Sequence, residues 1–296
     1  VFEGFHAEVV DTGDAEIFTL RGGSGPPLLL LHGFPQSHVM WHKVAPALAE
    51  HFTVVLTDLR GYGQSSAPPS TADHEPYSKR VMAADQLAVL NRLGFTGEFS
   101  IAGHDRGGRC AYRLALDHPE RVRRLAVLDI VPTGEFFARL DTEVALGYWH
   151  WFFLAQPNEL PERMIGADPD VFFDALRSGV LNVGPETFTD EVLEIYRQGL
   201  LAPARVHAMC EDYRAGATRD LEADEADRGN RLIEAPTLAL WGRNGAMQRW
   251  YDMPAIWRDW VAEGHELTTA AVDAGHFVAE QAPEETTRHL LDFFTG

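Results

Sequence analysis

Short runs of apolar residues alternate along the chain with stretches in which apolar residues recur every three or four positions. The first pattern predicts buried strands and the second amphipathic helices. Strands are expected at Ala7–Val10, Glu16–Leu20, Leu28–Leu31, Thr53–Thr57, Phe99–Ala102, Leu125–Leu128, Thr237–Trp241 and Leu267–Val272. Helical spacing is clearest at Val81–Leu93, Arg106–Leu116, Met253–Glu263 and Glu284–Phe294. Such an alternation predicts an α/β fold, with an eight-stranded, mostly parallel sheet flanked by helices.

The rhythm breaks between about Gly134 and Asn230. That stretch carries Phe136, Phe137, Tyr148, Trp149, Trp151, Phe152 and Phe153 and shows helix-like spacing without a convincing strand. It reads as a helical insertion, so the expected organisation is a core over 1–133, a helical cap over 134–230 and the rest of the core over 231–296. An insertion there would lie over the carboxyl ends of the parallel strands, where open α/β sheets bind ligands.

Composition narrows the function. With 296 residues, 45% hydrophobic and 23% charged, the chain has ordinary globular usage and suits one large domain with an insertion. A formal net charge of −19 argues against nucleic acid, which needs a concentrated basic surface. It also means that an anionic substrate must be drawn in by a local positive site. No apolar run approaches the roughly 20 residues that span a bilayer, so no membrane partner is expected. The opening Val1-Phe2-Glu3-Gly4 does not read as a secretion signal, and a cytoplasmic location is the expectation. Cys110 and Cys210 have no metal-like spacing and do not suggest a disulfide framework.

The chemistry centres on Gly103-His104-Asp105-Arg106-Gly107. Asp105 stands between an expected strand and an expected helix, with a glycine two positions to either side. This is the context of a nucleophile elbow in an α/β-hydrolase fold, with an aspartate where ester-cleaving relatives carry serine. A carboxylate there would attack a carbon bearing a leaving group and form an ester on the enzyme. The competing reading, a helix cap, leaves the paired glycines unexplained. His276, in the loop after the last strand, is the expected base, although a plain loop histidine is the alternative. The strand ending Trp241-Gly242-Arg243-Asn244-Gly245 supplies no acid to orient it. Asp129, at the end of Leu125–Leu128, is therefore the expected acid, against a turn aspartate before Pro132. His32-Gly33-Phe34-Pro35 follows a strand where this fold places an oxyanion loop, so the backbone N–H groups of Phe34 and Arg106 are the expected donors.

Together with these, His32 to Gln36, Gly103 to Arg109, Leu128-Asp129-Ile130-Val131-Pro132-Thr133, Tyr148-Trp149-His150-Trp151 and Cys210-Glu211-Asp212-Tyr213-Arg214-Ala215-Gly216 resemble the fluoroacetate dehalogenases. The similarity covers essentially the whole chain, and the lid motifs make it specific. It implies hydrolysis of haloacetate, fluoroacetate going to glycolate and fluoride. Arg106 and Arg109, three apart on one helix, would hold the substrate carboxylate in a bidentate grip. His150, Trp151 and Tyr213 would hydrogen-bond the departing halide. No cofactor or metal is implied, because nucleophile, base and donors are all side chains; family habit implies a homodimer.

Two positions depart from the family. A tryptophan is missing around Leu176-Arg177-Ser178-Gly179-Val180-Leu181, and Gly134 stands where an aromatic commonly follows the Pro-Thr pair. Both changes are expected to enlarge the pocket, towards larger acids or towards chloride and bromide substrates. An epoxide hydrolase would use the same Asp105, His276 and Asp129. However, phenylalanine occupies Phe152 and Phe153 where its first lid tyrosine is expected, and Arg106 replaces a common tryptophan. A receptor that keeps the fold without turnover would have no use for all three groups.

Overall fold

The computed structural model describes residues 2–178, 183–184 and 186–296. Eight strands form one sheet: β1 His6–Asp11, β2 Glu16–Gly22, β3 Pro27–Leu31, β4 Thr53–Thr57, β5 Phe99–His104, β6 Val122–Leu128, β7 Thr237–Gly242 and β8 Leu267–Val272. Their order across the sheet is β1-β2-β4-β3-β5-β6-β7-β8. β1 pairs with β2, and β2 with β4, antiparallel; every pair from β4 to β8 runs parallel.

The continuous apolar runs of the central strands follow from helices covering both faces. Leu28 and Leu30 pack with Val54, Leu56, Ala102, Ala126 and Leu128 on one side, against Trp41, Leu290 and Phe293. Leu29 and Leu31 pack with Val55, Ile101, Leu125 and Val127 on the other, against Met82, Val89, Cys110 and Leu114. Side chains of a strand alternate between faces, so each leucine of Leu28–Leu31 is fully buried. Burial of each contributes roughly 1.5–3 kcal/mol.

The helices Lys79–Arg92, Arg106–Asp117 and Pro283–Thr295 lie close to their expected positions. The first is capped by the Ser78 side chain, which accepts from the Val81 N–H. The helix expected to run to Glu263 stops at Arg258. There the chain turns to bury Trp260, and Val261 pairs with Ile233 in an isolated bridge. Both cysteines are free and buried.

Between β6 and β7 the described residues form helices and no strand, from Thr133–Ala138 through Trp149–Leu154 and Pro203–Ala215 to Leu221–Asp227. Among the described residues, no helix is long and apolar enough to cross a membrane. Gly179, Val180 and Leu181, in the stretch that lacks the family tryptophan, lie outside the described residues.

Candidate active site

The candidate residues stand at the carboxyl ends of neighbouring parallel strands. His32 follows β3, Asp105 follows β5, Asp129 follows β6 and Gly242 ends β7, while His276 lies in the loop after β8. Asp105 and Asp129 both have positive φ, 47° and 53°. Backbone strain of this kind, about 1–3 kcal/mol per residue, persists only where the surroundings hold it. At Asp105 the surroundings are the two glycines. A Cβ on Gly103 would lie 2.3 Å from the Gly107 carbonyl oxygen, and one on Gly107 would lie 2.3 Å from that of His32. The elbow therefore needs glycine at both positions.

Asp105 is 7% exposed. Its Oδ1 accepts the Phe34 N–H at 2.8 Å, so the oxyanion loop holds the carboxylate itself in the resting protein. The other expected donor, the Arg106 amide, makes no such bond. His32 anchors this loop as a neutral ring: Nδ1–H donates to the Gly33 carbonyl at 3.0 Å and Nε2 accepts from the Leu59 N–H at 3.0 Å. Burial would raise the Asp105 carboxyl, but the imidazoles of His276 and His104, and after them the guanidiniums of Arg106 and Arg109, outweigh burial and hold the group below its ordinary range. Asp105 is thus an ionised, buried carboxylate.

His276 donates from Nδ1 to Asp129 Oδ2 at 2.7 Å, and Asp129 Oδ1 accepts the Gly242 N–H at 3.0 Å. Those bonds fix the ring and leave Nε2 as a base. Burial would lower the His276 pKa, but the hydrogen bond and charge of Asp129, with the charge of Asp105, raise it above its ordinary value. His104, the motif residue without an assigned role, donates from Nε2 to the His276 carbonyl at 2.8 Å. Burial pushes its own pKa down to about 3, so it is a neutral strut for the His276 loop.

Arg106 and Arg109 converge on the indole of Trp151, 5.0 and 4.5 Å from its centre. The Arg106 guanidinium also lies 4.2 Å from the centre of the Tyr213 ring. Part of each guanidinium is already engaged by the protein. Arg106 gives Nε and Nη2 to the Asp212 carboxylate at 2.5–3.2 Å, and Nη2 also reaches the Asp212 carbonyl at 2.7 Å. Arg109 gives Nη1 to the Val131 carbonyl and Thr133 Oγ1 at 2.9 and 3.2 Å. Arg106 Nη1 and Arg109 Nε are buried without a partner among the described residues.

Asp212 is the residue around these arginines that has no expected role from the sequence. It accepts from Arg106, from Lys79 and, at 2.6 Å, from the Tyr62 hydroxyl, with no exposure to solvent. Arg106 and Lys79 hold its carboxyl far below the usual range against the effect of burial. The one signal for it was its place in Cys210–Gly216, next to Tyr213; a buried Arg106 needs such a counter-charge.

His150 and Trp151 are brought together around Tyr213, with Phe34 beside them. The His150 ring stacks on Phe34 at 6.1 Å, and Tyr213 meets Phe34 at 5.2 Å, Trp151 at 5.5 Å and His150 at 6.0 Å, each edge to face. Burial pushes the His150 imidazole down to about 3 and the Tyr213 phenol up. Both are neutral hydrogen-bond donors. Gly134 does not face this space: its N–H donates to Asp224 at 2.9 Å, and a Cβ there would meet the Asp224 side chain at 3.0 Å. The glycine therefore adds no room beside Asp105. A groove of about 490 Å³ along Gln36, His38, Tyr196 and Met209 is also separate, since neither Asp105 nor His276 lines it.

A family model for the alpha/beta hydrolase fold matches residues 26–283. The chain is 47% identical over 295 residues to a fluoroacetate dehalogenase from Burkholderia sp, covering 100% of this chain and 95% of that one. It is 34% identical to a soluble epoxide hydrolase from Corynebacterium sp. (strain C12), covering 93% and 92%. The solved structure of an alpha/beta hydrolase from Nostoc sp PCC 7120 matches with a TM-score of 0.94 and 49% identity, over 100% of this chain and 99% of that one.

Proposed function

The chain belongs to the α/β-hydrolase fold family, and from that premise we propose that it is a hydrolytic dehalogenase of haloacetates. One observation carries the reading: an ionised, buried Asp105 stands beside two buried guanidiniums that stack on a single indole. A buried positive pair next to a carboxylate nucleophile selects an anionic substrate over a neutral one.

The substrate carboxylate takes the free donors, Arg106 Nη1 and Arg109 Nε, which fixes the carbon bearing the halogen in front of Asp105. An Asp105 oxygen bonds to that carbon as the carbon–halogen bond breaks. The halide leaves with the electron pair into the N–H and O–H groups of His150, Trp151 and Tyr213. His276 then takes a proton from water, and the resulting hydroxide attacks the Asp105 ester carbonyl. Phe34 N–H, already on an Asp105 oxygen, stabilises the oxyanion, and Asp129 stabilises the imidazolium. The products are the 2-hydroxy acid and halide.

Halide release from fluoroacetate, chloroacetate and 2-chloropropanoate, with 1-chlorobutane as a neutral comparison, tests the reading. Release from the haloacetates and none from the chloroalkane is expected. No halide from any of the acids would overturn the substrate class.

A further inference from the structure

We propose that the same site also hydrolyses 2,3-epoxy carboxylates, with Asp105 opening the ring at the carbon that bears the carboxylate and Tyr213 protonating the ring oxygen. The inference rests on the carboxylate-holding reading of Arg106 and Arg109 above.

A departing halide needs hydrogen-bond donors but no proton, whereas an opening epoxide leaves an alkoxide that must be protonated. Tyr213 is equipped for the second task. Its ring lies 4.2 Å from the Arg106 guanidinium, a position that stabilises a phenolate. Burial keeps the phenol protonated at rest, and the negative charges of Asp105 and, more weakly, of Asp212 work in the same direction, while Arg106 and Arg109 oppose them. When Asp105 becomes an ester its charge is gone, so Tyr213 becomes more acidic at the moment the alkoxide forms.

A second donor stands beside it. The neutral His150 imidazole packs edge to face with Tyr213 at 6.0 Å, and both border the Phe34 ring whose backbone N–H holds Asp105. Neither Phe152 nor Phe153 can supply a proton, so His150 is the partner that completes a two-donor wall.

The step balances. An Asp105 oxygen bonds to C2 of the epoxy acid as the C2–O bond breaks, and the oxygen, still on C3, takes the Tyr213 proton. Water activated by His276 then cleaves the ester; of its two protons one goes to the departing C2 oxygen, giving the 2,3-dihydroxy acid, and the other restores Tyr213, while its oxygen stays on the regenerated Asp105 carboxylate. A neutral epoxide lacks the group that Arg106 and Arg109 would hold, so the activity belongs to epoxy acids.

The purified full chain is tested in parallel on oxirane-2-carboxylate, propylene oxide and chloroacetate, following diol and chloride. Diol is expected from the epoxy acid at least about tenfold faster than from propylene oxide. Tyr213→Phe is expected to slow diol formation about 100-fold, because the alkoxide loses its acid, and to slow chloride release by a smaller factor, because the halide keeps two of its three donors; a thermal melt close to that of the parent shows that the variant is folded. Chloride without diol overturns this inference and leaves the dehalogenase reading intact, while neither product overturns both. Equal losses on the two substrates in Tyr213→Phe would overturn the role of Tyr213 as acid.

Discussion

Arg106 turns its Nε–Nη2 edge towards Asp212, with Nη2 2.5 Å from Oδ1, and leaves Nη1 as its one nitrogen without a partner among the described residues. The helix Arg106–Asp117 fixes where the backbone of Arg106 sits beside the nucleophile, and the lid carboxylate sets the direction of its side chain. The helix Pro203–Ala215, in the helical insertion between β6 and β7, thus aims a guanidinium carried by the helix after β5.

Asp212→Asn is expected to raise KM for haloacetate more than it lowers kcat, because Arg106 loses its orientation but Asp105 and His276 are untouched. It should also lower stability by about 3–5 kcal/mol, the effect of breaking a buried charge pair. Lys79→Met together with Asp212→Asn removes one charge of each sign and should recover part of that loss. Steady-state kinetics and thermal melts of the single and double variants check both effects.

The pH profile follows from His276. Its pKa is raised, chiefly by Asp129 against the effect of burial, and the base must be neutral to take a proton from water. Activity should therefore fall as the pH drops through a value above the ordinary histidine pKa of about 6.5. Asp129→Asn removes the raising charge, so the acidic limb should move to lower pH while kcat falls about 100-fold or more. A pH–rate series on both proteins reads the two shifts; an acidic limb that stays in place in the variant would contradict the assignment of Asp129.

Glu280 gives a separate test of the seam between lid and core. It accepts from the Tyr196 hydroxyl at 3.0 Å and from Gln36, and burial pushes its pKa up to about 8. The folded protein therefore holds a proton there that the unfolded chain releases near its ordinary value of about 4.3. The stability contributed by this proton is fully present below that value and is lost as the pH rises through about 8. Glu280→Gln should flatten this part of the dependence, so its melting temperature should gain on the parent between about pH 5 and about pH 8.

Much of this arrangement is legible in the sequence because its parts are local. Strand ends carry Asp105, Asp129 and Gly242, and a reader who finds buried strands finds the residues that follow them. The elbow is also local, since Gly103 and Gly107 are close neighbours of Asp105. Contacts across the lid are another matter. Asp212 lies 106 residues from Arg106, and nothing in either segment states that the two meet. Gly134 shows the same limit in reverse: a missing side chain beside the Asp129 strand suggests a wider pocket, yet its empty side faces Asp224. The early stop at Arg258 likewise reflects a tertiary bridge, Ile233 to Val261, rather than a break in helical spacing.

The most direct measurement of the central claim is a single turnover of chloroacetate, with enzyme in excess, in water labelled with heavy oxygen. The account predicts unlabelled glycolate and label in the peptide that contains Asp105, since water attacks the ester carbonyl and not the substrate carbon. Label in the first glycolate released, with none in Asp105, would contradict it.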